Sequence, residues 1–221
     1  MLKFFFGDVH GCFTQLLALL SECRAYANGR PSKHIFLGDL IDRGPESCSV
    51  VQTIIDMQIA DPSNVIALCG NHEDLLRHTE SDDGLDHWVM NGGSATLRSY
   101  GVSSPKDIPS EHLNWLRTLP VSYDDGQRYF VHAGIRPGIP LDQQRRRDLP
   151  WIREPFLSSS DDHGRLIVHG HTPLPRGEPD IRPNRINLDT GAAFGRALTA
   201  AVFDSPKRDP INLMQVSARR T

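Results

Sequence analysis

Three features of this 221-residue chain predict an α/β fold, two mixed β-sheets packed together with helices outside in an αββα layering. A strand, a polar turn and a helix recur three times near the start. Five turns pair glycine with Asp, Asn or His. Beyond about residue 120 the texture changes to short β-type runs separated by Pro, Gly, Asp and Asn.

The elements follow in order. Residues 2–6 form an apolar, β-prone run, and residues 13–23 show helical spacing through Leu16, Leu17, Leu20 and Cys23. Residues 34–37 lead into a second turn, after which Pro45 suits a first helical position and Val50, Val51, Ile54 and Ile55 mark one helical face. Residues 65–68 precede a third turn and a helix from about Glu73. Such repeats predict parallel strands with right-handed crossovers, which place ligand sites at the carboxyl edge of the sheet. Residues 84–100 and 110–119 read as mostly helical, the second with Ser110 as a cap. The β-type runs at 128–131, 165–168, 185–188, 198–203 and 211–216 predict the second sheet. No internal linker is evident, so residues 1–221 are expected to form one domain.

Composition bounds the function without identifying it. A hydrophobic share of 38% and a charged share of 23% are those of a globular protein. The net charge of -3 offers no general attraction to nucleic acid, so an anionic substrate would need local positive charge. No segment reaches the roughly 20 apolar residues of a membrane span, and residues 1–6 are too short for a signal-peptide core. Cys12, Cys23, Cys48 and Cys69 lack CxxC spacing and read as buried thiols. A cytoplasmic location is expected, with no nucleic-acid or membrane partner.

The five turns are Gly7-Asp8-Val9-His10-Gly11, Gly38-Asp39-Leu40-Ile41-Asp42-Arg43-Gly44, Gly70-Asn71-His72-Glu73, Val131-His132-Ala133-Gly134 and His169-Gly170-His171-Thr172. Cations that must keep room for water and substrate need hard oxygens and imidazoles on tight turns. The set therefore reads as a two-metal phosphoesterase site.

In this order the motifs resemble the signature of the phosphoprotein phosphatase branch of the metallophosphoesterases (calcineurin-like phosphoesterases). They look most like the compact bacterial and phage Ser/Thr and Tyr protein phosphatases of the bacteriophage lambda type. His87-Trp88-Val89-Met90-Asn91-Gly92-Gly93 and Trp151-Ile152-Arg153 are similar to further stretches of that group. The resemblance implies that Asp8, His10 and Asp39 hold a first metal and that Asp39 bridges to a second held by Asn71, His132 and His171. Manganese is the expected metal, with iron, zinc, nickel or cobalt as alternatives.

It also implies in-line attack on phosphorus by a hydroxide shared by the two ions. Arg43 and Arg153 would clamp the nonbridging oxygens, because a guanidinium fork fits two of them. His72 would protonate the leaving alkoxide, and Asp42 would orient His72. The expected substrate is a phosphorylated protein or a small phosphoester, with no regulatory subunit indicated.

A symmetrical dinucleoside tetraphosphate hydrolase is the alternative enzyme. Asp42 and Glu73 favour the phosphatase, since the symmetrical hydrolases in view carry Ala-Arg-Gly and Asn-His-Asp there. A catalytically idle scaffold would be marked by loss of a ligand or of His72, and neither is lost. His34, His78, His87, His112 and His163 are expected to be structural or exposed, and His169 is left out of the ligand set. The Arg145-Arg146-Arg147 run reads as a solvated turn whose position would also suit an anionic substrate. Trp88 and Trp115 read as core residues on helices.

Overall fold

The computed structural model describes residues 1–205 and 207–218, so Pro206 and residues 219–221 of the expected domain lie outside the described residues. Two five-stranded mixed sheets face one another. The first comprises β1 (Leu2–Phe6), β2 (Ser32–Phe36), β3 (Val65–Ala67), β9 (Leu198–Asp204) and β10 (Asn212–Val216), in the order β10-β9-β1-β2-β3. The second comprises β4 (Ser122–Asp124), β5 (Arg128–Val131), β6 (Leu166–His169), β7 (Asp180–Ile181) and β8 (Arg185–Asn187), in the order β4-β5-β6-β8-β7.

β1 shows why the layers form. Phe4 and Phe6 pack toward the helices, while Phe5 points into the space between the sheets against Phe130 and Phe203. A strand buried on both faces reads as a continuous apolar run, as Phe4-Phe5-Phe6 does. Helices α1 (Phe13–Ala27) and α2 (Ser47–Ala60) cover the outer face of the first sheet with Leu16, Leu19, Val50, Val51 and Ile54. Further helices α3 (Asn71–Arg77), α4 (Asp82–Trp88), α5 (Ser94–Tyr100) and α6 (Ser110–Thr118) add to the same layer through Leu75, Leu76, Trp88, Leu113 and Leu116. The outer face of the second sheet is covered by turn-rich chain that includes a 3-10 turn at Leu141–Gln143, packing Ile135, Leu149 and Phe156 on Tyr129, Val131 and Ile167.

Strands β1, β2 and β3 are parallel, as their connecting helices require, and so are β5, β6 and β8. One expectation is corrected. The runs at 198–203 and 211–216 do not join the second sheet; β9 pairs antiparallel with β1, with Phe4 opposite Val202, and β10 pairs with β9. Ala200 and Val202 thereby face the helices, and Ala201 and Phe203 face the second sheet. Strands β4 and β7 had no expectation because they are two- and three-residue edge strands with exposed positions.

Two boundaries also move. Pro45 lies before the helix, which starts at Ser47. The backbone N–H groups of Gly44 and Glu46 donate instead to His10 and Gly11 carbonyls, tying the second turn to the first. Ser110 is the first residue of α6 rather than its cap, and Pro109 holds the cap position.

Candidate metal centre

Every candidate ligand sits at the carboxyl edge of a parallel strand. Asp8 and His10 follow β1, Asp39 follows β2, Asn71 opens α3 after β3, His132 follows β5, and His171 follows β6. Both sheets therefore aim their loops at one cleft, as the switch between parallel strands predicts. All six residues are buried.

The turns are strained. Among the described residues, six non-glycine residues have positive φ, and five of them, His10, Asp39, Asp42, Arg43 and His171, belong to the motifs. Left-handed backbone is unfavourable for such residues and persists where surrounding contacts over-determine it. Here the contacts are named. The Glu73 carboxylate accepts backbone N–H groups from Gly70 at 2.7 Å, Leu40 at 2.8 Å and Asp39 at 2.9 Å, with Ile41 at 3.4 Å. Glu73 thus pins the Asp39 loop and faces its backbone. Replacing it, Glu73→Gln, puts an amide N–H₂ among backbone donors and leaves some unsatisfied. The variant is expected to lose about 1–3 kcal/mol of stability in denaturant unfolding.

Two groups of donors share Asp39. His10, Asp39 and His72 form one and Asp39, His132 and His171 the other, each with its ligating atoms within 4.8 Å of one another. Asp39 Oδ2 lies 3.3 Å from His10 Nε2 and 3.9 Å from His72 Nε2, and Oδ1 lies 3.2 Å from His132 Nε2. Asn71 Oδ1 is 3.0 Å from His132 Nε2 and 2.7 Å from His171 Nδ1. Separations near 3 Å match the edges of a coordination polyhedron with bonds of about 2 Å.

Second contacts set the tautomers. His10 Nδ1 donates to the Ile41 carbonyl and His132 Nδ1 to the Leu37 carbonyl, both at 2.9 Å, which points each Nε2 into the site. A mixed carboxylate, amide and imidazole set of this kind suits manganese, iron, zinc or cobalt. The residues present fit two divalent ions.

The electrostatics point the same way. Burial would raise Asp39, but His132, His72 and His10 hold its carboxyl well below the usual range. Burial would lower His132, yet Asp39, with Asp8 and Glu73 behind it, carries it up to about 10. Burial and the neighbouring His132 push His171 down to about 3, so its ring is neutral. The pocket is built to hold positive charge at its centre.

The remaining expected residues are placed unevenly. Asp8 is buried with its carboxylate accepting the His171 N–H at 3.1 and 3.3 Å, and it joins neither donor group. Burial and then Asp189 raise its carboxyl well above the usual range. His72 Nδ1 is bonded to Asp42 Oδ2 at 2.7 Å, while Nε2 is buried without a hydrogen-bond partner among the described residues. Burial opposes protonation of His72, but Asp39 and Asp42 outweigh it and raise the ring. Arg43 is exposed with its guanidinium on His10 Nε2. Arg153 is exposed and makes no ion pair among the described residues, with its charge felt at His171. Arg145, Arg146 and Arg147 lie exposed in a turn.

His169 stays outside the ligand set. The positive φ of His171 breaks the extended alternation, and His169 turns toward Phe156 and Arg185, with burial and Arg185 holding it down at about 3.

Contacts of Trp88, Thr96, the Gly92-Gly93 pair and Asp189 surround these residues. Trp88 is buried and its indole N–H donates to Asp42 Oδ2 at 2.8 Å; Thr96 donates to Asp42 Oδ1 at 2.6 Å. The Gly92-Gly93 pair interrupts the expected helix at 84–100: Gly92, at φ 112°, accepts the Arg43 N–H, and a Cβ on Gly93 would lie 2.4 Å from the Trp88 ring. Asp189 follows β8 at the same edge, buried, with Oδ1 accepting the Gly191 N–H. Its signal was present, since Asp189-Thr190-Gly191 repeats the strand–Asp–Gly pattern of the first motifs.

Paired donor groups that share one carboxylate, beside an arginine and an imidazole–carboxylate pair, fit a metal-dependent phosphoester hydrolase. Residues 3–197 match the calcineurin-like phosphoesterase family, and the chain belongs to it. It is 32% identical over 207 residues to serine/threonine-protein phosphatase 1 of Salmonella typhimurium, covering 88% of each chain. It is 30% identical over 222 residues to an asymmetrical bis(5'-nucleosyl)-tetraphosphatase of Anoxybacillus flavithermus, covering 88% of this chain and 87% of that one. A solved metallophosphoesterase from Sphaerobacter thermophilus shares the fold, with a TM-score of 0.63 at 22% identity over 99% of this chain and 89% of that one. Among the described residues no helix is long and apolar enough to cross a membrane.

Proposed function

We propose that this enzyme is a dinuclear-metal phosphomonoesterase acting on phosphorylated serine or threonine in proteins, with tyrosine as a further substrate and manganese as its metal. Asp8, His10 and Asp39 would hold one ion and Asp39, Asn71, His132 and His171 the other. Residues 1–221 would act as one domain, a reading supported by the apolar core shared between the two sheets.

The observation that carries the reading is the His72–Asp42 pair, with Nδ1 tied to Asp42 at 2.7 Å and Nε2, beside Asp39, without a hydrogen-bond partner among the described residues. A serine or threonine alkoxide is a poor leaving group and needs a proton as the ester bond breaks. A nucleotide phosphate departs far more readily, so a buried acid pair matters most for alkyl monoesters. Bound divalent ions supply Lewis acidity toward water and phosphate. Arg43 and Arg153 balance charge on the nonbridging oxygens, and His72 delivers its proton from Nε2 while Asp42 steadies the imidazolium.

A second reading is a dinucleoside tetraphosphate hydrolase, favoured by the 30% identical relative, whose described activity is asymmetrical rather than the symmetrical one expected. The contrast at Asp42 and Glu73 was drawn against symmetrical hydrolases and does not address asymmetrical ones.

The test compares phosphoseryl and phosphotyrosyl peptides, an aryl phosphate and diadenosine tetraphosphate, with manganese and with chelator. Turnover of the phosphoseryl peptide that chelator abolishes is expected. Turnover of the dinucleotide alone would overturn the phosphatase reading.

A further inference from the structure

Phe194 is among the most exposed large apolar side chains of the protein, at 56%, and a lone exposed ring ordinarily calls for no explanation. This one is different in its position. Its ring lies 5.5 Å from the guanidinium carbon of Arg43, and that guanidinium reaches His10 Nε2 inside the metal centre. Phe194 therefore stands at the rim of the reacting site, one arginine head away from a candidate ligand.

The ring is also held in place. It ends a 3-10 turn, Ala192–Phe194, flanked by Gly191 and Gly195 in left-handed backbone at φ 82° and 75°. The turn is anchored below by Thr190, whose hydroxyl reaches the Ala197 carbonyl at 2.7 Å and Thr199 at 2.6 Å. Arg196 closes it from the side by donating to the Leu174 carbonyl at 2.8 Å. A fixed, solvent-facing aromatic face beside a phosphate-binding cation offers a stacking surface to a second planar group. An aliphatic phosphoseryl side chain gains little there.

We propose that Phe194 is a specificity-determining residue that stacks on a planar aromatic group carried by the phosphoester substrate. This inference rests on the phosphoester hydrolase reading of the adjoining centre. The shared ligand chemistry is a phosphoester that also carries a planar aromatic ring, either the phenyl ring of phosphotyrosine or, through its ribose, the base of a nucleoside polyphosphate.

The experiment measures kcat/KM for matched pairs with manganese in wild type, Phe194→Ala, Phe194→Leu and Phe194→Tyr. One pair is a phosphotyrosyl and a phosphoseryl peptide of the same sequence; the other is diadenosine tetraphosphate and inorganic tetrapolyphosphate. In Phe194→Ala and Phe194→Leu the ratio of the aromatic to the non-aromatic substrate in at least one pair should fall about three- to tenfold, mostly through KM, and Phe194→Tyr should restore it. The pair that responds identifies the source of the ring. Ratios unchanged in both pairs, with all substrates falling together or none falling, would overturn the proposal and leave Phe194 as packing for Arg43. Failure of the underlying reading looks different, because wild type itself would then show no metal-dependent turnover of any phosphoester, and the stacking role would fall with it.

Discussion

Asp39→Asn is expected to abolish turnover and to empty both metal positions. The Asp39 carboxylate is the member common to the two donor groups, with Oδ2 toward His10 and Oδ1 toward His132 at 3.3 and 3.2 Å. Two divalent ions about 3.5–4 Å apart repel each other, and a shared carboxylate offsets that repulsion while fixing the distance. An amide keeps the shape but loses the charge and offers one oxygen in place of two. Losses in metal affinity of more than about 100-fold are expected, since even residues that only orient ligands cost 10- to 100-fold. A fall of about a thousandfold in kcat/KM corresponds to about 4 kcal/mol of lost transition-state stabilisation. Elemental analysis of the dialysed variant should find well under one ion per chain. A variant that keeps its metal and loses only rate would show that Asp39 is not the bridge.

His72→Asn should behave in the opposite way, losing rate and keeping metal. Its role depends on Nε2, which is buried without a partner among the described residues, and on the Nδ1 bond that Asp42 makes at 2.7 Å. Asp42 is itself fixed by Trp88 and Thr96, so the imidazole has one orientation. Removing a positioned proton donor costs about 10²–10⁴-fold in kcat. The loss should be large for an alkyl phosphate and small for a nitrophenyl phosphate, whose leaving group needs no proton. Trp88→Phe should reproduce part of this selective loss by removing one of the two donors that hold Asp42 Oδ2. Equal losses on both substrates, or loss of metal, would remove His72 from the acid role.

Much of this architecture was legible before any coordinate. The three βα repeats placed Asp8, Asp39 and Asn71 at the edge of one sheet because parallel strands joined by helices deliver their turns to one side. The later His132 and His171 turns were legible for the same reason. Contacts made across long sequence distances were not. Antiparallel pairing of β9 with β1 depends on which sheet edge is open, and nothing local in residues 198–204 records that. Trp88 read as core, which it is, but its bond to Asp42 crosses 46 positions. Glu73 reads from its motif as a lean toward a phosphatase, and its four backbone partners, which hold the Asp39 loop, lie beyond what the motif records. Asp8 reads as a candidate ligand from its motif, but its contact with the His171 backbone, 163 positions away, has no local signal.

The central claim is that catalysis resides in two metal positions joined by Asp39. It is tested most directly by stripping the wild-type enzyme with chelator and titrating manganese back while recording bound metal and phosphoseryl-peptide turnover together. Turnover should vanish on stripping and return in full only as binding approaches two ions per chain. Activity that survives the chelator, or that is complete at one ion per chain, would contradict it.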